Sequence, residues 1–101
     1  MINIFVMSKK RLRTEKFFSR ELLPKSISEQ GEAAIIKFEE EERGRGSTFK
    51  FRQGDEVVHK FNIAQEMVVK AIAYKKVIFQ GAPKNRLDGI ICHFWEEYET
   101  E

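Results

Sequence analysis

Cysteine and histidine stand side by side at Cys92 and His93, and the chain holds one further histidine, His59. Nucleophilic catalysis needs a base within reach of the thiol and a third group to orient that base. Sequence neighbours on a helix do not face each other. Cys92 is therefore read as a buried structural cysteine and His59 as a sheet residue near the edge of the core. A single cysteine excludes an intramolecular disulfide and a thiolate metal cluster within one chain. The two histidines have no carboxylate at a ligand spacing, so neither a metal nor a cofactor is expected. Glu39, Glu40, Glu41 and Glu42 could supply paired carboxylates for acid–base work. Alternation along a strand would send them to opposite faces, and they read as a solvated surface. The segment "GRGSTF" contains Gly-x-Gly but lacks the third glycine, and a strand is expected after it where a phosphate-binding loop needs a helix. With no catalytic constellation in sight, the chain is predicted not to be an enzyme.

Cations are the residues that remain. Nucleic-acid binding asks for positive charge against phosphates and, for single strands, aromatic platforms for bases. The candidates are Lys9, Lys10, Arg11 and Arg13 near the start, Arg43 and Arg45 in "RGRG", and Lys50, Arg52 and Lys60 beyond it. Phe17 could stack on a base or pack inward. Overall charge is only +2, so its distribution matters more than its sum. Residues 1–31 carry seven Lys/Arg against three Glu, and the last six residues carry four Glu. The layout is a basic arm and an acidic tail.

The elements that would hold these charges follow from periodicity. At 101 residues, with nine Phe, one domain spanning 1–101 is expected. No apolar run approaches a membrane span, so no membrane partner is expected. The lone cysteine fits a reducing, cytoplasmic setting. "MINIFV" is read as an edge strand or as an extension upstream of a start at Met7. Residues 8–23 are read as a basic helix, with a flexible arm as the alternative, ending at Pro24. Residues 32–41 alternate as a strand, "RGRG" is a turn, and "STFKFR" and "VVHKF" are two further strands. Phe38 opposite Phe51, and Phe51 opposite Val57, puts Ile36, Phe38, Phe49, Phe51, Val57 and Phe61 on one apolar face. In that register Glu39 and Glu41 offset Lys50, and Glu56 offsets Arg52. Arg43 and Arg45 are left to project from the turn.

Asn62 and Gln65 have the spacing of a capping box. Ile63, Ala64, Met67, Val68, Ala71 and Ile72 make an apolar stripe at helical period, so residues 62–76 are read as the helix that covers the sheet. "VIF" at 77–79 is a last strand or the helix end, and "QGAP" breaks the chain. Leu87, Ile90, Ile91, Phe94, Trp95 and Tyr98 also recur at helical spacing. A C-terminal amphipathic helix over 83–98 is preferred to a strand. Leu87, Ile91, Phe94, Trp95 and Tyr98 are then the candidate interface, with a second copy as one expected partner. The expected fold is α+β: an antiparallel sheet of three or four strands on one amphipathic helix, flanked by a basic N-terminal helix or arm and the C-terminal helix.

The order of elements through "SISEQGEAAIIKFEEEERGRGSTFKFRQGDEVVHKFNIAQEMVVKAI" resembles the layout of the positive-cofactor-four family. That family comprises dimeric single-stranded DNA-binding transcription cofactors with a curved antiparallel sheet backed by a helix. The resemblance covers residues 26–72 as a layout, and the extension after Lys76 departs from it. It implies a nucleic-acid partner, single-stranded by preference, and a regulatory role. The competing class is a protein-interaction module, an inhibitor or assembly factor working through its charges and its aromatic C-terminal segment.

Overall fold

A computed structural model describes residues 7–45 and 49–100. Its elements are β1 (Met7–Phe17), a single 3-10 turn (Ser19–Glu21), β2 (Leu22–Pro24), α1 (Lys25–Glu29), α2 (Glu32–Arg45), β3 (Glu56–His59), β4 (Asn62–Phe79) and β5 (Ala82–Thr100). The strands form one antiparallel sheet in the order β1-β5-β4-β3-β2. Leu22, Phe51, Val57, Met67, Val69, Ile90 and Cys92 make the core, with Phe17, Phe49, Ile72 and Phe94 packed against it. Burying an aliphatic or aromatic side chain of this size contributes roughly 1.5–3 kcal/mol. Leu23 and Val58 pair across β2 and β3 and are also fully buried, on the opposite face from Val57, because successive strand residues alternate. α1 packs onto these two strands.

The sheet is antiparallel and helices accompany it, but the expected fold is not the one formed: the sheet has five strands instead of three or four, and no amphipathic helix follows at the C-terminus of the described residues. The placement of the elements also differs. Residues 32–45 are a helix, not a strand: Ala34, Ile35, Phe38, Glu39 and Glu42 are its half-buried positions, a helical spacing. Glu, Ala, Lys and Arg favour helix, and Glu is depleted in strands. The short alternation Ala34, Ile36, Phe38 misled. Arg43 and Arg45 therefore end α2 instead of projecting from a turn. Gly46, Ser47 and Thr48 lie outside the described residues, as does "MINIFV". Residues 49–52 are irregular, not a strand. The aromatic cluster foreseen there nonetheless forms, with Phe38 and Phe49 rings 5.4 Å apart and Phe49 and Phe51 4.8 Å apart. Of the expected meander only "VVHKF" survives, as β3.

The helix expected at 8–23 is β1, the 3-10 turn and the start of β2, and those expected at 62–76 and 83–98 are the strands β4 and β5. β4 is where the two periods competed most closely. Met67 and Val69 are buried while Val68 between them is exposed, a period of two. The β-branched and aromatic residues Ile63, Val68, Val69, Ile72, Tyr74, Val77, Ile78 and Phe79 run along its whole length, a strand composition. Gln80 and Gly81 have φ of 53° and 78°. Positive φ at both central residues is what a type I′ two-residue hairpin needs, so "QG" turns β4 directly into β5. Gly89, read as a weak point in a helix, has a different reason. A Cβ there would lie 2.6 Å from Lys16 Cγ and 3.1 Å from the Phe17 carbonyl oxygen. Glycine lets β1 close on β5.

β3 leaves β4 after Val68, and β1 leaves β5 after Ile90. β4 and β5 then continue alone, paired from Ala73↔Gly89 to Phe79↔Ala82. At about 3.3 Å per residue this free ribbon extends roughly 20 Å. The molecule measures 70 × 33 × 19 Å with a radius of gyration of 17.7 Å, against about 13 Å for a compact chain of a hundred residues. No helix among the described residues is long and apolar enough to cross a membrane.

Candidate nucleic-acid interface

β1 is rich in cations, and β5 answers them. Arg13 donates to Glu96 at 2.7 Å and Arg11 to the other oxygen at 3.3 Å. Lys10 stands 3.7 Å from Glu97, and Lys16 donates to Asp88 at 2.8 Å. The hydrogen bonds from Arg13 and then Arg11 hold the Glu96 carboxyl below its ordinary pKa. Lys16 does the same for Asp88. The guanidinium of Arg13 is raised in turn, chiefly by its hydrogen bond to Glu96. Arg11 and Arg13 also lie over the rings of Tyr98 and Phe94. The candidates Lys10, Arg11 and Arg13 are thus partners of the acidic tail, and Lys9 is exposed opposite Tyr98.

The other candidates scatter. Arg43 and Lys60 line one cleft of about 500 Å³ with Arg20, Phe38, Phe49, Glu39 and Glu42. Lys60 is 3.9 Å from Glu39, so the cleft carries both signs. Arg45 is the last residue of α2. Lys50 and Arg52 are exposed on the irregular segment. The expected counter-charges have gone elsewhere: Glu39 to Lys60 and Glu56 to Lys25 at 3.7 Å. The predicted interface also divides. Register puts Ile91 and Trp95 on one face of β5 and Phe94 and Tyr98 on the other, with Leu87 out on the ribbon. Helical spacing cannot survive on a strand.

The ribbon brings together cations that periodicity passed over. The pairs Lys75↔Arg86, Val77↔Lys84 and Phe79↔Ala82 share one face; Tyr74↔Leu87, Lys76↔Asn85 and Ile78↔Pro83 share the other. Lys84 lies 4.9 Å from the Phe79 ring centre. Lys75, Lys76, Lys84 and Arg86 form no ion pair among the described residues, though Lys75 helps depress Asp88. The signal was present in the chain. No Asp or Glu occurs between Glu66 and Asp88, while Lys70, Lys75, Lys76, Lys84 and Arg86 fall in that interval.

Cys92 is fully buried, and burial pushes its thiol up to about 11. Among the described residues no three His, Cys, Asp or Glu lie together as a metal site. The molecule is an antiparallel α+β protein with one basic β-ribbon standing clear of its body. No protein-family model, curated protein or solved structure matches the chain. The positive-cofactor-four layout calls for strands from residue 32 and a helix from residue 62, where this chain has α2 and β4.

Proposed function

We propose that this chain binds nucleic acid without catalysing a reaction, and that the β4–β5 ribbon is the contact. One observation carries the reading: an acid-free ribbon, open at both edges, presents Lys75, Lys76, Lys84 and Arg86 without ion-pair partners among the described residues. Two-stranded ribbons are among the elements that DNA-binding proteins lay in the major or the minor groove. Lone hairpins are marginal in water, so one held out from the body is stabilised by what it docks on. Phosphates supply the negative charge that Lys75, Lys84 and Arg86 on one face of the ribbon, and Lys76 on the other, are left to meet. Titration of labelled duplex and single-stranded oligonucleotides over a salt series tests this. Affinity is expected to fall with salt at a log–log slope of about −0.9 per duplex phosphate contact or −0.7 per single-strand contact. Absence of binding at low salt removes the reading.

A second reading draws on the back of the sheet. Leu12 and Trp95 pair across β1 and β5 and are 51% and 60% exposed, and Val68 is 44% exposed. This apolar stripe suits the protein-interaction alternative. In that case Trp95→Ala abolishes capture of the partner and the ribbon cations are dispensable.

A further inference from the structure

The ribbon changes chemistry along its length. Its stem carries Lys75, Lys76, Lys84 and Arg86. Its last rungs, Ile78↔Pro83 and Phe79↔Ala82, are apolar on both faces. Ile78 is 82% exposed and Phe79 53%, although nothing in the body prevents side chains from being polar there. Single exposed apolar residues are ordinary. An apolar tip on an acid-free cationic stem is a pattern, and it matches the cross-section of duplex DNA, with phosphates outside and stacked bases within.

Resting on the nucleic-acid reading, we propose that the ribbon takes duplex DNA and that its tip wedges into a base step from the minor groove, bending the helix. Phe, Ile and Pro are among the side chains that partly unstack a step in this way, and the bend lets the duplex meet more of the protein. The stem cations then lie along the phosphates flanking the step. The cross-strand pair Ile78 and Pro83 gives a flat apolar slab one rung behind the turn, and Phe79 gives the reverse side. Gln80 at the apex and Asn85 on the stem are types that read the minor groove. The apex also argues against a lipid bilayer as the occupant. Gln80 and the peptide groups of the turn would enter hydrocarbon unsatisfied, which is costly, whereas a groove offers acceptors and water.

The test is fluorescence energy transfer across an end-labelled duplex of about thirty base pairs, with matched single strands and anionic vesicles as parallel arms. The wild-type chain is expected to shorten the end-to-end distance and to bind at least tenfold tighter when the duplex carries one mismatched, easily unstacked step. Ile78→Gln with Phe79→Gln is expected to keep the salt slope and to lose the bend and the mismatch preference. Both side chains are exposed, and an unchanged thermal transition checks that the variant is folded. Duplex binding without shortening, or tighter binding to single strands, overturns the wedge and leaves the nucleic-acid reading standing. Binding to vesicles alone, or to nothing, overturns both.

Discussion

Strand β5 passes through two electrostatic settings. Toward its C-terminal end it lies beside β1, and Glu96 and Glu97 face Arg11, Arg13 and Lys10. Toward its N-terminal end it lies beside β4 alone, and Lys84 and Arg86 face Val77 and Lys75 with no acid on either strand between Ala73 and Leu87. Asp88, holding Lys16, marks the boundary. Both regions are rich in lysine and arginine. The β1 cations are largely engaged within the sheet, whereas the ribbon cations are left to solvent. Counting positive charge along a chain does not separate engaged cations from free ones; asking which strand neighbours each cation does.

The largest contrast expected is in packing. Ile90→Ala, at the buried root of the ribbon, should cost about 2–5 kcal/mol. Ile78→Ala, near the exposed tip of the same hairpin, should fall within about 0.5 kcal/mol. Denaturant unfolding of the two variants checks this, and equal losses would mean that the ribbon is packed in solution. Next in size is the turn. Gly81→Ala places a side chain at φ 78°, at a cost of about 1–2 kcal/mol. That cost should appear as faster amide exchange in residues 74–87 while β1 and β3 keep their protection. Uniform loss across the sheet would show that ribbon and body unfold together.

Acid should separate the regions more gently. Glu96 and Asp88 titrate below the ordinary carboxylate range in the folded chain, through hydrogen bonds from Arg13 and Lys16. A carboxyl depressed on folding stabilises the fold above its unfolded pKa of about 4, and that contribution is lost as pH falls through the folded value. Protection of β1 amides should therefore decline on acidification below about pH 4. The ribbon between Ala73 and Leu87 has no carboxylate to protonate and should show no decline of its own.

Local chemistry was legible in the sequence where it acts locally. The burial of Cys92, the clustering of Phe38, Phe49 and Phe51, and the strand at "VVHKF" follow from residue type and short-range pattern. Pairing was not legible. β4 and β5 satisfy helical spacing as well as strand spacing, and the partner strands that decide between them lie far away in sequence. Two cues outweighed periodicity: "QG" as a hairpin turn, and Gly89 as a point of close approach. The ribbon cations were visible only as an interval without acids, which acquires meaning once its strands are known to stand alone. Conversely, Lys10, Arg11 and Arg13 looked free because their counter-charges are more than eighty residues away in the chain.

The central claim is that position relative to a partner strand, not charge itself, decides which cations bind. Two variants that each remove three charges test it directly: Lys75→Ala with Lys84→Ala and Arg86→Ala on the ribbon, and Lys10→Ala with Arg11→Ala and Arg13→Ala on β1. Both are compared with wild type for the salt dependence of binding to one duplex. The ribbon variant is expected to lower the slope by about 2.7 for three lost phosphate contacts with its unfolding transition unchanged. The β1 variant is expected to keep the slope and to lose stability modestly, as exposed ion pairs do. Equal slopes for the two variants, or the greater loss on β1, would contradict the account.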